Sequence, residues 1–188
     1  MMSEADDPLT PEIRALIGLK AEKVLACPPW GIEREGLRSF TNAIMDPDPR
    51  YWDEAFAAGT RYGGIVTPPI YCSYIGYKTP AGSDDRLSQT LAANPQSDGS
   101  ISFDNSDPRG RLPPIPTPLG RMLNGGIEIE LFQYPKLGDL IYSQACYHDI
   151  QGHAGKDGAA MLIYTMRTSY TNQDDALLCI LSLSVILR

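Results

Sequence analysis

Apolar positions change their rhythm along this chain. Up to about residue 120 they fall into short stretches at helical spacing, cut by prolines and glycines; beyond it they form longer alternating or continuous runs, as strands do. Pro11 to Leu19 (PEIRALIGL) predicts a short helix capped by Thr10, with Pro11 in the first turn, where amides have no helical partner, and Gly18 at or just past its end. Ala21 to Ala26 alternates well enough for a strand, which Pro28-Pro29 closes. From Ile32 the positions Ile32, Leu37, Phe40, Ala43 and Ile44 share one helix face, with Glu33 and Glu35 suiting the dipole, and Pro47 stops that helix. Asp46 to Pro49 (DPDP) is a rigid turn, and Tyr51 to Ala58 (YWDEAFAA) reads as a two-turn helix closed by Gly59. Gly63-Gly64 permits a sharp or positive-φ backbone before Ile65-Val66-Thr67, after which Pro68-Pro69 opens a helix through Ile70 to Tyr77.

Four strands are predicted in the last part: Gly126 to Phe132, Leu140 to Ile150, Ala160 to Tyr170 and Leu177 to Leu187. The breaks between them (Pro135 to Asp139, Gly152 to Gly158, Thr171 to Asp175) read as hairpin connections, so an antiparallel meander is expected. All sixteen prolines lie at or before Pro135, which leaves every amide of the last 53 residues free for strand pairing. Lys78 to Gly120 carries seven prolines and little periodic signal. Residues 79–120 are therefore read as an insert, a lid or interface arm or disordered stretch, within a single domain spanning 1–188. One strand, then helices, then four strands is an α+β plan in which a helix can lie along the concave face of one curved sheet.

Composition narrows the function. Sixteen basic against twenty-three acidic residues give a net charge of −7, with no two adjacent Lys or Arg, so no nucleic-acid partner is expected. Cys27, Cys72, Cys146 and Cys179 are widely spaced, without a CxxC pair; they read as free thiols in a reducing cytosol, and no metal site is expected. The acidic start (MMSEADDPLTPEIR) does not read as a signal or transit peptide, and no apolar run reaches 18 residues, so a cytoplasmic protein without a membrane span is expected.

The stretch Ile32 to Lys78 (IEREGLRSFTNAIMDPDPRYWDEAFAAGTRYGGIVTPPIYCSYIGYK), together with ELFQYPKLGD ending at Asp139 and TSYTNQDDALL further on, resembles the MaoC-like hydratase and dehydratase superfamily. It is most similar to the FAS1-like or MaoC N-terminal branch, and within it to the acyl-recognition, non-catalytic subunit of (3R)-hydroxyacyl-thioester dehydratases. The resemblance implies a hotdog fold: a five-stranded antiparallel sheet wrapped around a central helix. It also implies reversible addition of water to an enoyl thioester, with no cofactor beyond the CoA or carrier-protein phosphopantetheine of the substrate itself.

Active relatives carry a D-x-N-P-x-H segment whose Asp and His hold water and move protons. Here Asp46 matches the Asp, Asp48 stands at the Asn, Pro49 matches the Pro, and Tyr51 stands where His is needed. A phenol with an ordinary pKa near ~10 is a poor base at neutral pH. The family's V-H-G-like segment, whose glycine amide donates to the thioester oxygen, corresponds to Val66-Thr67-Pro68, and proline has no amide hydrogen. Since an oxyanion donor is worth ~3 kcal/mol of barrier, the resemblance implies that a MaoC-like catalytic hotdog subunit supplies the chemistry. This chain would then shape the pocket for a long or bulky acyl tail, fatty or steroid-side-chain.

The side chains of that pocket have alternative roles. Asp46 is a remnant of the motif or a turn cap. Tyr51 lines a substrate cleft or packs under the next helix, and Gly63 and Gly64 serve backbone geometry or admit a pantetheine arm. Thr67 precedes the central helix, and Tyr71, Tyr74 and Tyr77 lie on one side of it, as core or as tunnel wall. Asp139 reads as a turn residue, and His148 and His153 as unrelated to the motif. Anionic carriers oppose the negative net charge unless Arg34, Arg38, Arg50, Arg61 or Lys78 offsets it locally, or the partner supplies the basic site. Two other readings remain: a homodimeric hydratase working through Asp46 with an atypical acid/base, and a non-enzymatic acyl-thioester-binding protein. Thioesterase action is weaker, because Ile70 to Tyr77 contains no carboxylate.

Overall fold

The computed structural model describes residues 7–75, 91–96, 112–155 and 158–188, so most of the expected insert and Tyr77 lie outside the described residues. Short helices precede the long strands: α1 Pro11–Arg14, α2 Arg34–Ala43, α3 Glu54–Ala58 and α4 Tyr71–Ile75, with a further helical turn at residues 91–93. Strands β1 Val24–Leu25, β2 Met122–Leu131, β3 Tyr142–Ala154, β4 Ala160–Thr171 and β5 Leu177–Leu187 form one antiparallel sheet in the order β1-β3-β4-β5-β2. This is the expected α+β plan.

The expected meander holds for β3, β4 and β5 only. β2 pairs with β5, from Met122↔Leu187 to Leu131↔Cys179, so the segment Pro135 to Asp139 is no hairpin and instead crosses from one edge of the sheet to β3. It crosses because the helical layer holds it. The Pro135 carbonyl accepts the Thr67 amide at 2.9 Å, Val66 bridges Lys136, and Gly138 N donates to the Ile32 carbonyl at 2.9 Å while Ile32 N donates to that of Asp139 at 3.0 Å. Asp139 closes the turn as expected, its carboxylate accepting the Lys136 amide at 2.8 Å.

Other boundaries differ from the sequence reading: β2 begins at Met122 rather than Gly126, β3 runs on to Ala154 into the expected break, α4 begins at Tyr71 rather than at Pro68-Pro69, and the segments below differ too. The first helix stops at Arg14 rather than Leu19, since the following amides bond three residues back and Gly18 N turns to the Tyr147 carbonyl at 2.8 Å. The chain then runs along β3, with Ala21 N donating to Ala145 at 2.8 Å, and only Val24–Leu25 of the expected strand 21–26 is regular. Tyr51 to Ala58 is not one helix: Asp48 caps a 3₁₀ turn at Pro49–Tyr51, and Asp53 caps α3 with an acceptor 3.0 Å from Phe56 N. Two acids competing as caps split the segment.

Burial follows the sheet's alternation. Leu37 and Phe40 of α2 and Tyr71, Cys72 and Ile75 of α4 pack with Ile141, Tyr170, Leu178 and Leu181. A second cluster joins Ile13 and Ala21 to Tyr147, Ile150, Leu162 and Val185. All four cysteines are free, three of them buried. Among the described residues no helix is long and apolar enough to cross a membrane.

Gly31 tests the layer contact. It sits at φ +79°, and a Cβ there would lie 2.7 Å from both the Gly138 and Asp139 carbonyl oxygens, whereas one at Gly18 (φ +86°) would meet nothing within 4 Å. Gly31→Ala is expected to cost more than ~2 kcal/mol and Gly18→Ala about 1 kcal/mol. Urea unfolding of the two variants checks the order.

Candidate functional site

The segment Asp46 to Tyr51 is a chain of local acceptors. Asp46 Oδ1 accepts the Asp48 amide at 3.1 Å, and Asp48 Oδ1 accepts the Arg50 amide at 3.0 Å. Each proline fixes its own φ and keeps the acid before it extended, and the acids' side-chain bonds two residues on bend the chain. The turn-capping role of Asp46 is therefore visible.

Arg50 then closes on Asp48. Its Nε lies 2.9 and 3.0 Å from the two carboxylate oxygens, and a terminal nitrogen makes a further short contact with Oδ2. Both groups are only partly exposed. The guanidinium holds the Asp48 carboxyl below its ordinary range, and Arg50 is itself raised by that hydrogen bond. The same guanidinium sits 5.4 Å from the ring centre of Tyr134 and 5.8 Å from that of Tyr51, and it donates to the Tyr134 hydroxyl at 3.4 Å. Tyr62 meets Tyr134 edge-on at 4.9 Å.

Tyr51 is buried at 6 % exposure, and that burial, with smaller contributions from Tyr134 and the neighbouring acids, pushes its phenol up to about 12. It is protonated throughout the physiological range and is no base there. Backbone bonds secure the segment as well: the Arg50 carbonyl accepts Val66 N at 3.2 Å, while Thr67 N goes to Pro135. With Pro68 and Pro69 next in line, the four residues 66–69 leave no amide free to polarise a carbonyl. Thr67 is wholly buried, its hydroxyl donating to the Pro68 carbonyl at 3.4 Å.

Gly63 adopts φ +69° and Gly64 does not share that conformation, while open space surrounds the missing Cβ of each. A shallow cavity of ≈ 380 Å³ lies beside Gly64, between Arg34 and Lys136. Tyr71 is in the core at 1 % exposure, whereas Tyr74, at 40 %, reaches the surface while its ring packs 4.7 Å from Phe40. The loop Asp46 to Tyr51 meets Val66 directly, and of the α4 tyrosines only Tyr71 belongs to the adjoining core. His148 and His153 lie out on β3, His153 against Gln151 at 3.1 Å. Among the described residues no three His, Cys, Asp or Glu cluster as metal ligands.

Of the basic residues expected to offset the acidic charge, Arg34 is paired with Glu54, Arg38 with Glu35 and Arg50 with Asp48. Arg61 lies over its neighbour Tyr62, donating to the hydroxyl at 2.8 Å. Lys78 lies outside the described residues. Sequence reasoning named Arg50 only as a surface cation and missed Tyr134. The i, i+2 spacing of Asp48 and Arg50 signals their pairing; nothing local signals a tyrosine 84 residues away.

Asp48→Asn keeps the cap and removes the ion pair. Because the folded pKa of Asp48 lies below its unfolded value, the pair stabilises the fold above pH ~4 and that stability is lost as pH falls through the lower, folded value. The variant should be about 1 kcal/mol less stable at pH 7, with the difference vanishing in acid. Urea unfolding of both proteins from pH 7 down to 3 measures this.

The family described as "FAS1-like, dehydratase domain region" matches residues 16–181. A UPF0336 protein of Streptomyces avermitilis is 34% identical over 50 residues, a match spanning 27% of this chain and 33% of that protein. Among solved structures, the ChsH1-ChsH2 complex from Mycobacterium tuberculosis superposes with a TM-score of 0.62 at 15% identity, covering 94% of this chain and 91% of the other. The C-terminally truncated HadBC (3R-hydroxyacyl-ACP dehydratase) complex from the same organism gives 0.56 at 15% identity, with 91% and 96% covered. A MaoC-like dehydratase from Rhodospirillum rubrum gives 0.54 at 16% identity, with 91% of each chain covered. The fold is that of the hotdog dehydratases.

Proposed function

Because the chain belongs to this FAS1-like dehydratase family, we propose that it is the non-catalytic, acyl-binding subunit of a cytoplasmic, heteromeric enoyl-CoA hydratase or (3R)-hydroxyacyl-thioester dehydratase. A MaoC-like catalytic hotdog subunit supplies the acid/base pair, and this chain contributes the wall of a pocket for a long or bulky acyl thioester. The observation that carries the reading is the closed state of the loop Asp46 to Tyr51. One acid is tied to an arginine, the other to a backbone amide, and the residue at the base position is a buried, protonated phenol.

Two further features support a partner. The pairing of Arg34, Arg38 and Arg50 with acids leaves them poorly placed to receive the phosphates of an anionic carrier, a task that falls to the other subunit. In addition, the β3 side of the sheet is covered by the arm of residues 18–25, whereas among the described residues β2 pairs on one side only. Ile127, Leu131 and Phe132 of that edge stay open, Ile127 and Phe132 each about half exposed. A ten-residue edge with apolar side chains is an invitation to pairing that isolated proteins avoid.

Hydration of a trans-2-enoyl-CoA by the purified chain, alone and mixed with a MaoC-like partner, tests the proposal. Turnover is expected only in the mixture, and Asp46→Asn and Tyr51→Phe should leave its kcat within about twofold, below ~0.5 kcal/mol of barrier. Family-typical turnover by the isolated chain, abolished by Asp46→Asn, would instead establish a self-sufficient homodimer.

A further inference from the structure

The face of the sheet turned away from the helices carries a groove that the proposed reaction does not use. Two bulges bound it. In β3, His148 is the extra residue between the pairs Tyr147↔Met166 and Asp149↔Thr165; in β2, Gly125 is the extra residue between Asn124↔Val185 and Gly126↔Ser184. Bulges re-aim side chains and bend the strand, and here they face each other across β4 and β5 to leave a half-open cavity of ≈ 370 Å³. Glycine keeps it open: a Cβ at Gly125 would press on Ser184 at 3.1–3.2 Å, and Gly126 sits at φ +133°.

The groove is lined with donors. Arg167 is half-buried on β4, between the core-facing Met166 and Thr168, and its Nε donates to the Ser182 hydroxyl at 3.3 Å. It makes no ion pair among the described residues, unlike Arg14, Arg34, Arg38 and Arg50. The Thr165 and Ser184 hydroxyls lie 3.4 Å apart in the adjoining row. A guanidinium, an imidazole and hydroxyls gathered in one cavity match an oxyanion. Glu128 pairs with Ser182 from the other side, so Arg167, Ser182 and Glu128 form one cross-strand row, with the cationic and the acidic residue at backbone positions about 10 Å apart, two strand spacings. A bare anion uses only the first end; a ligand that also carries hydroxyls donates to the second.

We propose that this groove binds a small hydroxylated oxyanion, a polyol bearing a phosphate or carboxylate, with the anion at Arg167 and His148 and a hydroxyl at Glu128. The site lies on the opposite face of the sheet from α4 and stands independently of the dehydratase reading.

Amide NMR spectra of the full chain, titrated separately with inorganic phosphate, glycerol 3-phosphate and glycerate, test it. Saturable shifts are expected at Gly125, Gly126, His148 and Ser184, with at least one of the two polyol anions binding more tightly than inorganic phosphate; which of them does so identifies the anionic group. Arg167→Gln should weaken binding at least ~10-fold, and Ser182→Ala, which removes one hydroxyl and leaves the sheet intact, several-fold. Glu128→Gln should weaken only the polyol anions. Shifts that fail to saturate, that centre on the helical layer, or that persist unchanged in both Arg167→Gln and Ser182→Ala would overturn the proposal.

Discussion

Arg50 joins three stretches of chain that are remote in sequence. Its guanidinium closes on Asp48 within its own turn and reaches the Tyr134 hydroxyl beyond β2, while its carbonyl takes the Val66 amide just before α4. The desolvation of a partly buried cation is offset by a charge-assisted contact with the carboxylate and by the faces of two aromatic rings. Backbone bonds from Val66 to Arg50 and from Thr67 to Pro135 already tie these stretches together, and the Arg50 side chain adds a polar and aromatic clamp over the same junction.

That anchoring has a chemical consequence. A loop used for proton transfer needs a carboxylate or imidazole with a lone pair free at neutral pH. Here the Asp48 lone pairs face a guanidinium and the Arg50 amide, and burial that favours packing of the Tyr51 ring also disfavours its phenolate. At the neighbouring segment, Thr67 gives its amide to Pro135, so the contact that carries the chain across the sheet also removes a donor from the site. The contacts that hold this half of the fold thus also occupy the Thr67 amide and the Asp48 carboxylate.

Much of the fold was legible in the sequence because its signals are local. The proline-free end gave three long paired strands, and the spacing of Leu37 and Phe40 gave the buried face of α2. The position of β2 was not legible, since Pro135 to Gly138 looks like a hairpin until Thr67, Val66 and Ile32 are known to hold it. Within the site, the tyrosine at position 51 and the proline at 68 already argued against catalysis. The Arg50–Asp48 clamp was within reach of a reading of i, i+2 charge pairs, but its third member, Tyr134, arrives only through tertiary packing. Met45 at φ 54°, just past the end of α2, has no counterpart in the sequence pattern at all.

The central claim is that this loop holds structure and moves no protons. Its most direct test is a carbon-13 NMR titration of the Asp48 carboxyl and the Tyr51 phenol in the folded chain. The account predicts that Asp48 titrates below the ordinary aspartate value near ~3.9 and that Tyr51 titrates at about 12, so that neither changes state around neutrality. Titration of either group between about pH 6 and 8, where a general acid or base works, would contradict it.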